Sequence, residues 1–473
     1  MATEQSPLLV PEASSSEYSV VTRIAEHEAI YRRFSPSQKR VILLLVSLAG
    51  LIPLFVSGTF IPSIPQIALD LHSTGKIISL AVSLSVATNS VGCLIWASYS
   101  GYYGRRPIYL LSLACQCFGS LGVSLARSVP ELFLARFFQA FGSSSGLSVG
   151  LGVIGDIYKL EERGTASGLF FGAVLLGPAL APLAGGIASH YFSWRIMQGC
   201  LFIYAILMFI TTLFFLPETS HPGTRGVEKV TEAGDKSRFV VINPFKCLAL
   251  LRSPNVSLVA LAGGFILMTD FVLLIPIAYT LGAKYHITNE AIIGACFMPV
   301  GVGNILGASL AGRISDKVVI KWEKIRGEWV PEDRLRGTTI IGALIFVPFS
   351  LLGFGIVTTY VDGPIGITLD LICLFLHGIG IDLVLSPSAA YNTDIPHSQS
   401  AEAAATNMAL RGVIVSITSS LILPCIETFG VFYTNAGAAV ISWVGCILLW
   451  SVIKYGDRMR AWKDIGYSTA LTN

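Results

Sequence analysis

Five ionisable residues interrupt long apolar stretches of the sequence: Arg136, Asp270, Asp370, Asp382 and Arg411. A charge at the centre of a membrane-spanning helix costs about 2.5–3.5 kcal/mol on insertion scales. Such a side chain is therefore expected to face the interior of a helix bundle or water, where it can bind protons, ions or polar ligands. We take these residues as the first candidates for chemistry.

Asp270 is the first choice for a proton carrier, because its apolar neighbours remove the hydration that stabilises a carboxylate. Asp382 is the second choice. Arg136 and Arg411 stay charged, so they cannot carry a proton, but either can influence a nearby acid or bind a carboxylate. Simpler interpretations remain open: Asp270 as a structural hydrogen-bonding residue, and Arg411 as an anchor at the end of a helix.

Two further polar residues are expected to be structural. Asp370 lies near the end of its apolar run, which favours an interfacial position. His377 is alone in an apolar stretch and is interpreted as a core histidine with satisfied hydrogen bonds.

The elements that carry these residues are apolar runs long enough to cross a bilayer, for which roughly 20 residues suffice. The chain is 53% hydrophobic and 13% charged, whereas a soluble protein has about 25% charged residues. The fold class is therefore an all-α polytopic membrane protein. We predict twelve spans, at residues 41–64, 77–99, 108–127, 132–154, 166–188, 195–216, 256–280, 290–312, 337–359, 365–389, 403–427 and 431–453.

A polar interruption in the middle of the chain divides the spans into two sets of six. Loop sequences repeat weakly between the sets, as in Ser100–Arg106 after span 2 and Gly312–Lys317 after span 8. Duplicated halves with a site between them are typical of secondary transporters. The predicted organisation is a disordered tail at 1–37, a six-helix half at 38–216, a loop at 217–254, a second half at 255–455 and a tail at 456–473.

Lysine and arginine concentrate at alternate span ends, together with both chain termini. The positive-inside rule therefore places both termini and the central loop in the cytoplasm. The plasma membrane is the expected location. A vacuolar or endosomal membrane is the alternative, because Glu4–Leu9 resembles an acidic dileucine sorting signal.

Enzyme and cofactor chemistry find little support in the sequence. The nine cysteines are scattered without a CxxC pair, and no His/Asp/Glu cluster has metal-ligand spacing. Glycines form no phosphate-binding loop. The net charge of +3 gives no basic patch for nucleic acid. We expect a monomer without cofactor or metal whose partners are protons, a small organic substrate and the lipid bilayer.

Several short motifs occur in a fixed order. They are Gly104–Pro107 after span 2, Arg136–Gly142 in span 4, Leu176–Gly186 in span 5, Leu216–Thr219 after span 6 and Pro331–Leu335 in the second half. Over residues 38–455 the ordered set resembles fungal members of the major facilitator superfamily. It is most similar to the twelve-span drug:proton antiporters.

The resemblance implies roles for three groups of residues. In span 4, Arg136 and Gln139 lie in a motif implicated in proton coupling and substrate contact. In span 5, small residues and prolines would seal the two halves against leakage, although a plain packing face predicts the same residues. The predicted seal consists of Gly172, Gly177, Pro178, Pro182, Gly185 and Gly186.

The third group comprises the predicted gating loops: Gly104, Arg105, Arg106, Asp156, Asp316, Lys317 and Arg334. The first loop departs from the family pattern, because Gly101 and Tyr102 stand where relatives usually have an acid and a base. Asp156 could replace the missing acid as partner of the arginines. Ordinary anchoring at the positive side of the membrane is the alternative for these cations.

The resulting functional hypothesis is a proton-coupled exporter of drugs or secondary metabolites that works by alternating access between the two halves. An organic-acid carrier is the first alternative, because Arg136 and Arg411 could bind a carboxylate. A non-transporting nutrient sensor of the same fold is the second.

Overall fold

A computed structural model describes residues 31–223, 225–232, 240, 242–328, 330–395 and 400–462. The sorting motif at residues 4–9, almost all of the predicted N-terminal tail and the last eleven residues lie outside this part of the chain.

Within the described residues, twelve helical spans are long and apolar enough to cross a membrane. They confirm the predicted all-α class and the number of spans. Spans 1 to 6 are Pro36–Asp70, Gly75–Tyr103, Arg105–Leu125, Val129–Ile157, Thr165–Tyr191 and Trp194–Phe215. Spans 7 to 12 are Pro254–Lys284, Glu290–Arg326, Thr339–Tyr360, Gly363–Asn392, Glu402–Phe429 and Val431–Trp462.

Most spans are longer than the predicted apolar runs, because caps and polar ends continue the helix. Ser35 forms a capping box with Gln38, so the first helix begins at Pro36 rather than at residue 41. Span 12 continues to Trp462, and the predicted C-terminal tail therefore begins later than residue 456.

Several spans are interrupted. Span 1 consists of Pro36–Gly58, the 3₁₀ turn Ile61–Ser63 and Ile64–Asp70. Span 4 divides into Val129–Ser143 and Ser145–Ile157. Span 7 divides into Pro254–Leu274 and Ile277–Lys284, and span 8 into Glu290–Ala295 and Met298–Arg326. Proline near the breaks, at Pro62 and Pro276, removes a backbone donor and favours the change of helix.

Shorter elements complete the described chain. Span 5 belongs to the helix Leu160–Tyr191, span 10 to Gly363–Asp394 and span 11 to Ser400–Phe429. Span 9 contains the π-helical turn Gly342–Phe346 between Thr339–Ile341 and Val347–Tyr360. The central loop carries the helix Gly226–Glu232 and the 3₁₀ helix Pro244–Arg252, and Pro331–Arg336 is 3₁₀-helical before span 9.

An even number of spans places the first and last helix ends on one side of the bundle. We call this side, with Pro36, Phe215, Pro254 and Trp462, the terminal face. The other side, which carries the turn between spans 1 and 2, is the opposite face. These names describe the bundle without assigning it an orientation in the cell.

Two pairs of spans join the halves, spans 2 and 11 and spans 5 and 8. Ser83 in span 2 and Ser419 in span 11 share a hydrogen bond of 2.8 Å, and Ser416 Oγ donates to the Ser83 carbonyl at 2.9 Å. Small residues allow this approach, since a Cβ on Gly412 would overlap the Ser90 hydroxyl. Hydroxyl and glycine contacts of spans 2 and 11 therefore join the halves, beside apolar contacts such as that of Leu94 with Ala405 and Ala409.

Candidate functional site

Three of the predicted charges come together in the second half, one from each of three spans. Asp270 in span 7, Asp382 in span 10 and Arg411 in span 11 lie close enough to interact electrostatically. Asp382 and Arg411 are both 9% exposed, and Asp270 is partly buried. We call these residues the acid–base cluster.

Gly263 makes room for the cation of this cluster. A Cβ at this position would lie 2.6 Å from Arg411 Nη2 and 2.8 Å from its Cζ, so the guanidinium rests directly on the backbone of span 7. Asp270 lies two helical turns further along the same span, about 10 Å away along the axis. The cluster is therefore elongated along the bundle.

The polar atoms of the cluster are incompletely paired within the described part of the chain. Asp270 Oδ1 and both Nε and Nη2 of Arg411 are buried without a hydrogen-bond partner there. A buried polar atom without a partner costs free energy, so it is commonly explained by a function or by a bound molecule. Two carboxyl groups and one guanidinium can hold a proton, a cation or a polar ligand.

The two residues predicted to be structural differ in outcome. His377 is fully buried and contacts Ser350 Oγ at 2.9 Å and Thr269 Oγ1 at 3.4 Å, as expected for a core histidine. The interfacial prediction for Asp370 is wrong. Asp370 is fully buried and accepts hydrogen bonds from Thr358 at 3.0 Å and Tyr285 at 3.1 Å, because span 9 and the segment after span 7 close over it.

Arg136 belongs to a separate polar group in the first half. Its side chain is fully buried, lies 4.3 Å from the Phe60 ring centroid and donates from Nη1 to Gln139 Oε1 at 2.8 Å and to the Val56 carbonyl at 3.3 Å. Gln139 Nε2 in turn donates to Ser120 at 3.1 Å and Gln198 at 3.0 Å. Spans 1, 3, 4 and 6 thus share one network.

Arg136 is not a neighbour of the acid–base cluster. Arg136 lies in the third of span 4 nearest the opposite face, whereas Arg411 lies in the half of span 11 nearest the terminal face. The cation beside Asp382 is Arg411. Arg136 Nε and Nη2 are buried and have no partner among the described residues, so its charge is only partly satisfied.

The small residues of span 5 divide between two faces of the helix. A Cβ on Gly177 would lie 2.8 Å from Leu54 of span 1, and Gly185 packs against the backbone of Thr59. Both contacts are within the first half. Gly186 instead packs against Glu290 and Gly294 of span 8.

The predicted inter-half seal is therefore wrong for Gly177 and Gly185, because helical periodicity turns these two glycines toward span 1. Both prolines, Pro178 and Pro182, lie inside the continuous helix. The carbonyl of Pro182 lies against Gly294 of span 8. No atom lies within 4 Å of a Cβ added at Gly172, so no described neighbour requires a glycine there. Ala179, not predicted, meets Gly301 of span 8.

The loop between spans 2 and 3 is held by two carboxylates of the first half. Arg105 Nε donates to Asp156 Oδ2 at 2.9 Å, and Arg105 Nη1 donates to Ser100 Oγ at 2.8 Å. Glu218, after span 6, accepts from the backbone N–H of Arg105 at 2.9 Å and of Arg106 at 3.2 Å. It therefore caps the N-terminus of span 3.

Gly104 makes that cap possible. Its φ of +107° is rarely adopted by other residues, and a Cβ would collide with the Glu218 carboxylate. Burial disfavours charge on Glu218, but donors from Ser220, Arg105 and Arg106 outweigh it and hold the pKa of Glu218 below its usual value. The motif Leu216–Thr219 contains Glu218, but its sequence alone does not indicate this role.

The corresponding loop of the second half has a different arrangement. Arg334 Nη1 lies 3.4 Å from Asp316 Oδ1, and the Lys317 side chain is exposed. The stronger contacts involve Glu332, which is buried, pairs with Arg460 of span 12 and accepts from Tyr391 at 3.1 Å. Glu332, in the segment that precedes span 9, thus links span 10 to span 12.

Two contacts between titratable side chains of the two halves lie at the opposite face, and the sequence did not predict them. Lys76 of span 2 pairs with Glu427 of span 11. His190 of span 5 contacts Glu290 of span 8 at 2.9 Å. The partners are far apart in sequence and lie near span ends, so no local pattern connects them.

Twelve spans in two joined halves, with buried charges in the bundle, define a polytopic membrane transporter. A sequence model of the Major Facilitator Superfamily matches residues 46–423, and the chain belongs to this family.

Fungal transporters are among the relatives. The MFS transporter OpS2 of Beauveria bassiana is 27% identical, over 68% of this chain and 99% of its own. The MFS antiporter QDR3 of Candida albicans is 22% identical, over 94% and 82%. The multidrug transporter DTR1 of Candida glabrata is 25% identical, over 91% and 86%.

Solved structures of low sequence identity share the fold. A bacterial homologue of the human lysosomal transporter Spinster has a TM-score of 0.67 at 14% identity, over 91% of this chain and all of its own. The xylose transporter XylE of E. coli has a TM-score of 0.62 at 15% identity, over 88% and 98%.

Proposed function

We propose that the protein exports small organic molecules in exchange for protons, by alternating access between its two halves. The observation that carries the proposal is the acid–base cluster, in which Asp382 interacts with a second acid, Asp270, and with the guanidinium of Arg411. Relatives described as an antiporter, an efflux pump and a multidrug transporter support the same proposal.

The charges of the cluster suggest how exchange is coupled. With both acids ionised, Asp270, Asp382 and Arg411 carry one net negative charge, which attracts a proton or a cationic group. Protonation of one acid makes the cluster neutral. Substrate and proton can therefore compete for the same carboxylate, as an antiporter requires.

Replacing one acid by its amide tests the coupling step. Asp270→Asn and Asp382→Asn keep the side-chain shape and remove the titratable group. For at least one of them we expect uphill accumulation in reconstituted vesicles to fall to the level of vesicles without protein, while downhill counterflow continues.

Asp370→Asn is the matched control, because Asp370 is a buried acid of span 10 whose oxygens already accept hydrogen bonds. Its ratio of uphill transport to counterflow should match the parent. Uphill transport at the parent rate in both Asp270→Asn and Asp382→Asn would exclude the cluster as the proton carrier.

An organic-acid carrier is the second candidate, favoured by Nε and Nη2 of buried Arg136, which have no hydrogen-bond partner among the described residues. A guanidinium with free N–H groups binds carboxylates well. Screening neutral, cationic and carboxylate compounds in the same vesicles separates the two functions. Transport restricted to carboxylates and lost in Arg136→Gln would favour the acid carrier.

The proposal includes a monomer in the plasma membrane with both termini in the cytoplasm. Lysine and arginine at the terminal face support this orientation. Labelling of a cysteine at Lys454 by an impermeant reagent applied outside the cell would exclude it.

A further inference from the structure

A basic pocket lies at the terminal face, outside the proposed transport site. Its volume is about 460 Å³, and it is bounded by the segment before span 1, the start of span 1, the residue after span 4 and the start of span 5. The lining residues are Tyr31, Arg32, Phe34, Ser35, Pro36, Lys39, Arg40, Tyr158 and Glu162.

The walls of the pocket are held by contacts to the rest of the first half. Arg33, within the wall segment, donates to the carbonyls of Glu218 and Ser220, the latter at 3.1 Å. Tyr31 packs edge-on against the His221 ring at 5.7 Å. The segment before span 1 is therefore fixed to the loop after span 6, and the pocket is a built feature of the fold.

Charge in the pocket is unbalanced. Among the described lining residues, the two cations of span 1, Lys39 and Arg40, outnumber the one carboxylate, that of Glu162. Lys39 Nζ lies 5.4 Å from the Tyr158 ring centroid, and Arg40 donates to the carbonyl of Pro36 at 3.4 Å. The pocket therefore has an excess of positive charge with hydroxyl groups beside it, which suits a phosphate group.

The position of the pocket indicates the source of that phosphate. It lies at the terminal-face end of span 1, and Phe34, Tyr31 and Tyr158 supply aromatic rings at the depth where such rings meet lipid headgroups. Basic pockets between membrane spans bind anionic lipid headgroups. We propose that this basic pocket binds the phosphate of an anionic phospholipid.

Lipid in the pocket would touch the scaffold of the first gating loop. Tyr158 follows Asp156 by two residues, and Asp156 holds Arg105 through its carboxylate and His221 through its carbonyl. A headgroup between Lys39 and Tyr158 therefore braces the ends of spans 1 and 4 against the loop after span 6. This role is independent of the transported substrate.

Native mass spectrometry of the purified full-length protein tests the proposal, with phosphatidylinositol phosphate as probe and phosphatidylcholine as neutral comparison. Each cation removed should weaken retention of the anionic lipid by about fivefold. The double variant Lys39→Gln/Arg40→Gln should therefore weaken it by roughly tenfold or more. Phosphatidylcholine retention should not change.

The control pair is Lys454→Gln/Arg458→Gln, two exposed cations at the same face at the end of span 12. This pair should retain the lipid as the parent does. Glu162→Gln removes the acid of the pocket and should raise retention by about fivefold, a gain that a folding defect cannot produce.

Three results would overturn the assignment. The first is equal loss in the pocket and control variants. The second is no gain in Glu162→Gln together with unchanged binding in Lys39→Gln/Arg40→Gln. The third is displacement of the lipid by inorganic phosphate at equal concentration, which would assign the pocket to a soluble phosphate compound.

Discussion

At the level of single residues, the buried charges of this transporter are distributed between the halves in different ways. The second half places the cation Arg411 beside the acid Asp382, whereas Arg136 in the first half has amide, carbonyl and aromatic partners. When all partners of a guanidinium are neutral, none of them balances its positive charge. The halves are thus similar in fold but electrostatically unlike.

Glu218 gives the residue-scale prediction. Glu218→Gln removes charged hydrogen bonds to the start of span 3 and should lower stability at pH 7 by about 1–2 kcal/mol. The folded pKa of Glu218 is depressed, so its contribution is present above the unfolded value and lost as pH falls through the folded value. The difference in thermal midpoint between parent and variant should shrink below about pH 4.3.

Thermal denaturation in detergent across this pH range checks the prediction. Glu323→Gln, an exposed acid at the same face, is the control and should match the parent throughout. A difference between parent and Glu218→Gln that stays constant with pH would mean that the carboxylate charge is not responsible.

At the level of elements, span 5 serves two neighbours with two faces. Gly177, Ala181 and Gly185 recur at four-residue intervals and pack on span 1, whereas Ala179 and Gly186 pack on span 8. Pro182 touches both neighbours, with its ring near Gly58 of span 1 and its carbonyl near Gly294 of span 8. The first face fixes the span within its half. The second face forms part of the contact that must open when the halves move.

Leucine substitutions separate these faces. Gly186→Leu should force spans 5 and 8 apart, at a cost of roughly 1–3 kcal/mol, and reduce transport at normal membrane level. Gly177→Leu should instead lower thermal stability and membrane level, because the overpacking lies inside one half. The transport rate and the membrane level are measured for both variants.

Gly172→Leu is the matched control on the same span, since nothing lies within 4 Å of a Cβ there. It should behave as the parent in both measurements. Equal losses of membrane level in Gly186→Leu and Gly177→Leu would contradict the division into two faces.

The number of spans and their grouping were predictable, because apolar length and polar interruption are properties of the chain itself. The partners of Arg136, Gly177 and Glu218 were not. Each depends on which helix faces meet in the bundle. An apolar run without a strong polar face gives little information about how its helix is rotated about its own axis. A family pattern supplied candidate residues but not their neighbours.

At the scale of the whole molecule, two side-chain pairs join the halves at the opposite face. Lys76–Glu427 joins spans 2 and 11, and His190–Glu290 joins spans 5 and 8, so each pair of contacting spans has one. Both pairs are partly exposed, and each is worth about 0–1 kcal/mol. Such weak contacts can hold a closed state and still release it.

Charge reversal tests this closure. Lys76→Glu places like charges together and should speed labelling of a cysteine at Ser83, in a background without native cysteines, by about two- to fivefold. The reagent is impermeant and is applied to the opposite face. The double exchange Lys76→Glu/Glu427→Lys should restore the parent labelling rate. If the double variant is labelled as fast as Lys76→Glu, these charges do not hold the face closed.

The Arg33 contact with Glu218 and Ser220 also has a consequence for biosynthesis. It joins a residue before span 1 to the residues after span 6, and Glu218 caps span 3. All of these partners have been synthesised before span 7 begins at Pro254. The first half can therefore complete its own network while still attached to the ribosome, whereas Lys76 must wait for Glu427 near the end of translation.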